Sequence, residues 1–452
     1  MQESVQLAED ETVREQVFQA IEEQDFQALK DITAAMHAAE LSDLLESLPP
    51  KERSVLWEHT PDQLDADVLS EVQEEVRDVL ISEMDRNELV SAASEMDVED
   101  LAEVIVDLPT DLRTAIEESL DNAVRAKLET SLSFEEDTAG RLMSHELVSV
   151  RGDISLDVVL RYLRRKKDLP KYGDGLFVVD RDGNYMGKLP VEALLGNDPD
   201  TLVRDVMEKD DIQIQASTSA HEVAQLFERF ALASLAVVED GKLLGRITYE
   251  TAFEIFREEA DHAVLSSAGL DDDEDLFSPV LRSTYKRNIW LGINLMTAFL
   301  ASWVIGLFEG ALDQIVALAV LMPIVASMGG IAGSQTLTLT IRGLALNQIS
   351  ASNIEWLKRK ELSIGIINGV LWAVVVATLA WNWFDDPGIG MVIAAAVVIN
   401  LIVAAMAGIV IPLTLQRMGI DPALSGAVIL TTVTDVVGFM SFLGLATLFL
   451  LP

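Results

Sequence analysis

Cysteine is absent from the 452 residues, and the last of only five histidines is His262. Disulfides and thiolate chemistry are therefore excluded, and a zinc or soft-metal site lacks its usual ligands. Lys and Arg are scarce: 33 of them face 74 Asp and Glu, for a net charge of −41. The surplus is confined to residues 1–280, with 66 acids against 25 bases, whereas residues 281–452 hold 8 of each. Such a surface repels nucleic acid and anionic lipid and attracts cations, so nucleic-acid binding is ruled out. It equally fits an acid-rich proteome in which charge only keeps the surface solvated. The N-terminus, MQESVQLAEDETVREQ, has no signal-peptide pattern, which keeps the acidic part in the cytoplasm. No phosphate-binding glycine loop, nucleophile and base pair or histidine cluster is visible, so an enzyme is not expected.

Half of the residues are hydrophobic, and the length calls for two or three domains. Residues 1–134 show apolar positions at three- and four-residue spacing with almost no glycine, which predicts a helical, acidic N-terminal domain. LSDLLESLPP from Leu41 and LAEVIVDLPT from Leu101 resemble each other, each an amphipathic helix stopped by a proline, Pro49 and Pro109. Repetition of this kind predicts a small superhelix in which each unit buries its apolar stripe on the next. Glu99, Asp100 and Glu103 share its polar side.

At about Asp137 the pattern changes to strand, helix, strand, turn, strand and helix, with Asp182-Gly183 as a hairpin signal. The same order recurs at once, giving one unit over 135–204 and another over 205–250. The pair resembles CBS domains. Many of these bind adenine nucleotides through a Thr or Ser and an Asp after the glycine of the third strand. The corresponding residues are Pro190 and Ala193 after Gly187, and Thr248 and Thr251 after Gly245, so nucleotide binding is doubtful. Residues 251–280 read as an acidic connecting helix and a run of acids, and Glu250 just before it stacks with Glu254 and Glu258 on one face beside Glu259. Basic neighbours or hydrated divalent cations would relieve that repulsion.

Residues 281–452 hold five apolar segments: 289–308, 315–341, 362–383, 389–416 and 423–451. Each is long enough to cross a hydrocarbon layer of about 30 Å. Lys and Arg occur before the first segment, between the second and third, and at Arg417 between the fourth and fifth, whereas the other two loops have none. The positive-inside rule places the N-terminus in the cytoplasm and the C-terminus outside. Asp435, in TTVTDVVGF, is the only formal charge of the last segment, and Thr431, Thr432, Thr434 and Gly438 surround it. A carboxylate at that depth is costly unless it faces water, a cation or a partner, which makes it the candidate ion site. The bland alternative is a protonated Asp hydrogen-bonded in the bundle. A two-fold dimer with both copies of Asp435 on its axis completes the cage that one chain lacks.

The second segment, MPIVASMGGIAGSQTLTL, holds Pro323, Gly329, Gly330 and Gly333, then Ser334, Gln335, Thr336 and Thr338. Backbone loosened by proline and glycine must line protein or water, not lipid. With Thr431 and Thr434 opposite, the glycines are candidate pore-lining residues, although small residues alone also serve helix packing. Only oxygen ligands exist here, which suits Mg2+, Ca2+ or Mn2+, and one carboxylate per subunit suits an ion that keeps most of its water, Mg2+ best of all. A monovalent pore and a proton-coupled carrier stay open on this logic.

PIVASMGGIAGSQ, RGLA from Arg342, GIDPAL from Gly419 and TTVTDVVGF carry a specific resemblance, which extends domain for domain over the chain. The protein is similar to the MgtE-type magnesium channel family. The resemblance implies a multi-domain fold: an all-α superhelical cytosolic domain, tandem α+β CBS domains, an acidic connecting helix (251–280) and a five-helix transmembrane domain (281–452). It also implies a homodimeric Mg2+-selective channel of the inner or plasma membrane, closed by cytosolic Mg2+. By position, Asp435 matches the pore acid. Glu258 and Glu259 match regulatory metal-binding acids, and Glu250, Glu254 and Asp421 match acids between connecting helix and pore. Glu99, Asp100 and Glu103 complete the candidate regulatory set. Two departures stand out: Ile331 where the family has Asn, and Thr251 where it has an acid. A carrier exchanging Mg2+ with Na+ or H+ is the rival reading, and a CBS-gated sensor with a plain anchor ranks last.

Overall fold

The structure, a computed structural model, describes residues 2–166, 173–209, 212–270, 276–278 and 280–451. The acidic run 271–275 lies outside the described residues. The chain divides into two compact units: 1–260 with 275–278, and 261–274 with 279–452.

The first unit begins with a long helix, Gln2–Glu23, followed by short helices to Leu132. Helix Ala38–Glu46 ends ahead of Pro49 and helix Val98–Asp107 ahead of Pro109, as the two related segments predict. Starts are marked as clearly. Asp85 accepts from the Asn87 and Glu88 amides at 2.6 and 3.1 Å, while Glu88 accepts from the Asp85 amide at 2.9 Å, a reciprocal cap that satisfies otherwise orphaned donors. Leu41, Leu45, Leu56, Leu69, Leu80, Leu101 and Ile105 belong to one continuous core through these helices.

Two three-stranded sheets follow, with the order expected from the repeat. In the first, β1 (Ser149–Arg151) lies parallel to β2 (Gly175–Val179), which pairs antiparallel with β3 (Tyr185–Pro190). In the second, β4 (Gln213–Gln215), β5 (Ser234–Glu239) and β6 (Lys242–Thr248) repeat the arrangement. Parallel neighbours need a long crossover, supplied by helices Leu156–Arg165 and Ala220–Phe230. The hairpins turn at Gly183 (φ +88°) and Gly241 (φ +81°), where a side chain would be strained. The connecting helix runs from Tyr249 to Ser267, covering part of the 251–280 stretch.

Five helices of the second unit are long and apolar enough to cross a membrane: Ser283–Gly306, Val316–Ala345, Ile354–Phe384, Pro387–Arg417 and Pro422–Phe449, here called spans 1 to 5. Between spans 1 and 2, where a loop was expected, the chain forms a short helix, Glu309–Gln314. Span 4 is the most buried of the five and packs on spans 2, 3 and 5. Small residues make this close approach possible: Gly365 and Gly369 of span 3 meet span 4 backbone directly.

Candidate functional site

Spans 2 and 5 enclose an open groove of about 930 Å3 in the second unit. From span 2 it is lined by Ser327, Gly330, Ile331, Ser334, Gln335 and Thr338, among others. These positions recur every three or four residues and so form one helical face. Span 5 contributes Thr431 and Asp435, four residues apart and therefore stacked. Asp435 is half-buried, and no described side chain or amide donates to its carboxylate, which leaves both oxygens available to a hydrated cation. All polar groups of the lining are hydroxyls, an amide or this carboxylate, the hard-oxygen set that suits Mg2+.

Three of the five expected pore-lining residues point elsewhere. Gly329 faces Asn400 of span 4, and Gly333 packs under Leu430. Thr434 is buried, with its hydroxyl donating to the carbonyls of Leu430 and Thr431. The reason is helical phase: a step of one residue turns a side chain by about 100°, so Gly329 and Thr434, which precede Gly330 and Asp435, face away from the groove. Thr336 is likewise turned back. It donates at 3.1 Å to Glu361 of span 3, a carboxylate only 4% exposed that also pairs with Lys360 at 3.1 Å. Ser327, Glu361 and Asn400 were not singled out from sequence. The signal was there for the latter two, an acid and an amide at the border and in the middle of apolar runs.

The acids expected to be regulatory divide between the units. Glu99, Asp100, Glu103, Glu250, Glu254, Glu258 and Glu259 belong to the first and Asp421 to the second. Lost hydration on burial, then the field of Asp100, Glu250, Glu71 and Glu258, pushes Glu254 up to about 7. Burial raises Glu99 to about 7, partly offset by a hydrogen bond from Ser144, and raises Asp100 to about 6, where Asp97 and Glu103 add repulsion. Glu258 is also raised, by burial and then by Glu103 and Asp137.

Others are already engaged. Glu103 pairs with Arg77 at 2.6 Å, and Glu259 with His221 at 2.6 Å, whose other ring nitrogen meets Gln225 at 2.7 Å. Asp421 caps span 5 through the amides of Ala423 and Leu424 and lies 3.4 Å from His262. Among the described residues, no three of these side chains converge as direct ligands of one ion.

Comparison with known proteins adds the following. Residues 322–445 match the MgtE family described as divalent cation transporters, residues 36–137 match the MgtE intracellular N domain, and residues 139–197 and 203–258 match CBS domains. The magnesium transporter MgtE of Thermus thermophilus is 29% identical, covering 96% of this chain and 97% of its own length. The magnesium transporter MgtE of Bacillus subtilis is 25% identical over 94% of both. A solved structure of the cytosolic domain of the Mg2+ channel MgtE in complex with ATP is 29% identical, covers 54% of this chain and 99% of that one, and has a TM-score of 0.48.

Proposed function

This chain is a member of the MgtE family of divalent cation transporters, and from that premise we propose that it is a Mg2+-selective channel gated by cytosolic Mg2+. It works as a homodimer in the cell membrane, with its N-terminus in the cytoplasm and its C-terminus outside. The observation that carries this reading is the groove between spans 2 and 5, in which Asp435 stands with free oxygens among hydroxyls and an amide. Two such half-grooves facing across a two-fold axis make a conduit in which a hydrated Mg2+ is shared by two carboxylates.

Gating follows from charge. Without Mg2+, the crowded carboxylates of the cytosolic unit repel one another and favour separation. Ions that bridge them stabilise the closed arrangement and shift the population towards it, by no more than their difference in affinity for the two states. The connecting helix Tyr249–Ser267 continues covalently from one unit into the other and is the proposed transmitter.

Planar-bilayer recordings of the full-length protein test the channel reading. Unitary Mg2+ currents that vanish as Mg2+ rises on the cytosolic side are expected. Flux without unitary events that follows an imposed Na+ or H+ gradient would instead establish the exchanger. A second expectation concerns sensing: Mg2+ at roughly 0.1 to 1 mM, the range of weak carboxylate sites, slows proteolysis of the cytosolic unit. An unchanged cleavage pattern at saturating Mg2+ would remove the sensing step.

Ile331 is 59% exposed and lies on the groove wall. An apolar side chain there withholds a polar contact from the hydration shell of a passing ion. Ile331→Asn is therefore expected to raise Mg2+ uptake into sealed vesicles, by a few-fold at the roughly 0.5–1.5 kcal/mol typical of one added hydrogen bond. Equal or lower uptake would mean that this wall does not touch the ion.

A further inference from the structure

Behind the groove sits a polar side chain that the transport reading does not use. Asn400, in span 4, is fully buried. Its Nδ2 donates to the Val325 carbonyl of span 2 at 2.9 Å, while its Oδ1 is buried with no hydrogen-bond partner among the described residues. The amide occupies a notch that glycine alone permits. A Cβ on Gly329 of span 2 would stand 2.2 Å from Nδ2, and a Cβ on Gly438 of span 5 would stand 2.8 Å from it. One side chain thus touches the back of both groove walls. Gly329 immediately precedes Gly330, which faces the groove, and Gly438 follows Asp435 by about one turn.

Packing alone does not account for an amide here. Leucine has a similar volume and would fill the notch without leaving a buried acceptor unpaired, an arrangement that is costly away from water. What leucine would lack is the donor to Val325. We propose that Asn400 is a positioning residue for ion selectivity. It pins span 2 to span 4 at Val325 and spaces Gly329 from Gly438, and so sets the separation of the Gly330 and Asp435 faces. Close-packed interiors transmit a displacement instead of absorbing it, which carries a change in the notch through to the groove. Mg2+ holds its water tightly at short distances, whereas Ca2+ sheds water readily and accepts longer bonds. Groove width is therefore read by the ratio of Ca2+ to Mg2+ flux. The inference rests on the groove being the ion path.

The test is uptake of Mg2+ and of Ca2+ by full-length protein in sealed liposomes, for native, Asn400→Leu, Asn400→Ser, Gly438→Ala and Asp435→Ala chains. Asn400→Leu is expected to change the Ca2+-to-Mg2+ ratio roughly ten- to hundredfold, and Asn400→Ser, which empties the notch and is too short to reach Val325, is expected to move it as well. Gly438→Ala pushes on the same amide from span 5 and is expected to move the ratio as well, which covers the case in which Asn400→Leu does not fold. An unchanged ratio, with both fluxes falling in step with the amount of folded protein, would reduce Asn400 to a structural role and overturn the proposal. Flux retained in Asp435→Ala would overturn the groove reading itself. Flux lost there with ratios unchanged elsewhere would overturn the Asn400 inference alone.

Discussion

Asp435→Ala is expected to reduce Mg2+ flux by about a hundredfold or more, because a unit charge about 4 Å from another contributes about 4 kcal/mol at an effective dielectric near 20, and the ion carries two. Among the described residues no other formal charge lies on the groove, so nothing in that lining replaces the attraction. The fold should survive. Asp435 makes no hydrogen bond that holds the bundle together, and removing a half-buried carboxylate from an apolar helix relieves a desolvation cost. Uptake by reconstituted protein, set beside size-exclusion profiles of both chains, checks both halves of the statement. Asp435→Asn, which keeps an oxygen but loses the charge, should fall between the two. Native-like flux in Asp435→Ala would remove this residue from the mechanism.

The second large effect is a pH-dependent response of the first unit to Mg2+. Glu99 and Glu254 titrate near 7 in the folded protein instead of 4.5, and Asp100 near 6 instead of 3.8. The folded form thus holds protons that an unfolded chain has already released. Their contribution to stability is fully present below about pH 4 and is lost as pH rises through 6 and 7. Without Mg2+, the thermal midpoint of the first unit should therefore decline between pH 5 and pH 8.

On the proposed function, Mg2+ binds only the ionised carboxylates and must displace those protons. One proton displaced from a group titrating near 7 makes the half-saturating Mg2+ concentration about tenfold higher at pH 6 than at pH 8. Thermal unfolding of the full-length protein in detergent at both pH values, over a Mg2+ series, measures this directly. Glu254→Gln should weaken the pH dependence and raise the midpoint in the absence of Mg2+. A Mg2+ response identical at pH 6 and pH 8 would disconnect these three acids from metal binding.

How far the site could be read from sequence differs from residue to residue. Thr431, expected among the residues around Asp435, shares the groove with it, four residues away. Thr434, in the same nonapeptide, was expected beside them and is turned into the bundle. A span that is apolar on every side offers no amphipathic stripe from which to read its rotation, so its phase is decided by the neighbours it packs on. Gly330 and Gly329 illustrate the point within a single step: one faces the groove, the other the amide of Asn400. The acids tell a similar story. Composition shows that they must crowd, but only packing singles out Glu99, Asp100 and Glu254 as desolvated and pairs Glu103 with Arg77 and Glu259 with His221.

The amino-acid order by itself determined the modular plan: short helices punctuated by Pro49 and Pro109, a β-α-β-β-α unit written twice, five apolar spans, and a membrane part with oxygen as its only available metal ligand. These properties are local, set by periodicity, turn residues and composition along the chain. Tertiary structure decided which faces meet: the groove made by spans 2 and 5, the Asn400 notch behind it, and the burial of Glu361. Those depend on contacts between residues far apart in the chain, where close packing of small side chains selects one rotation among several that hydropathy treats as equal.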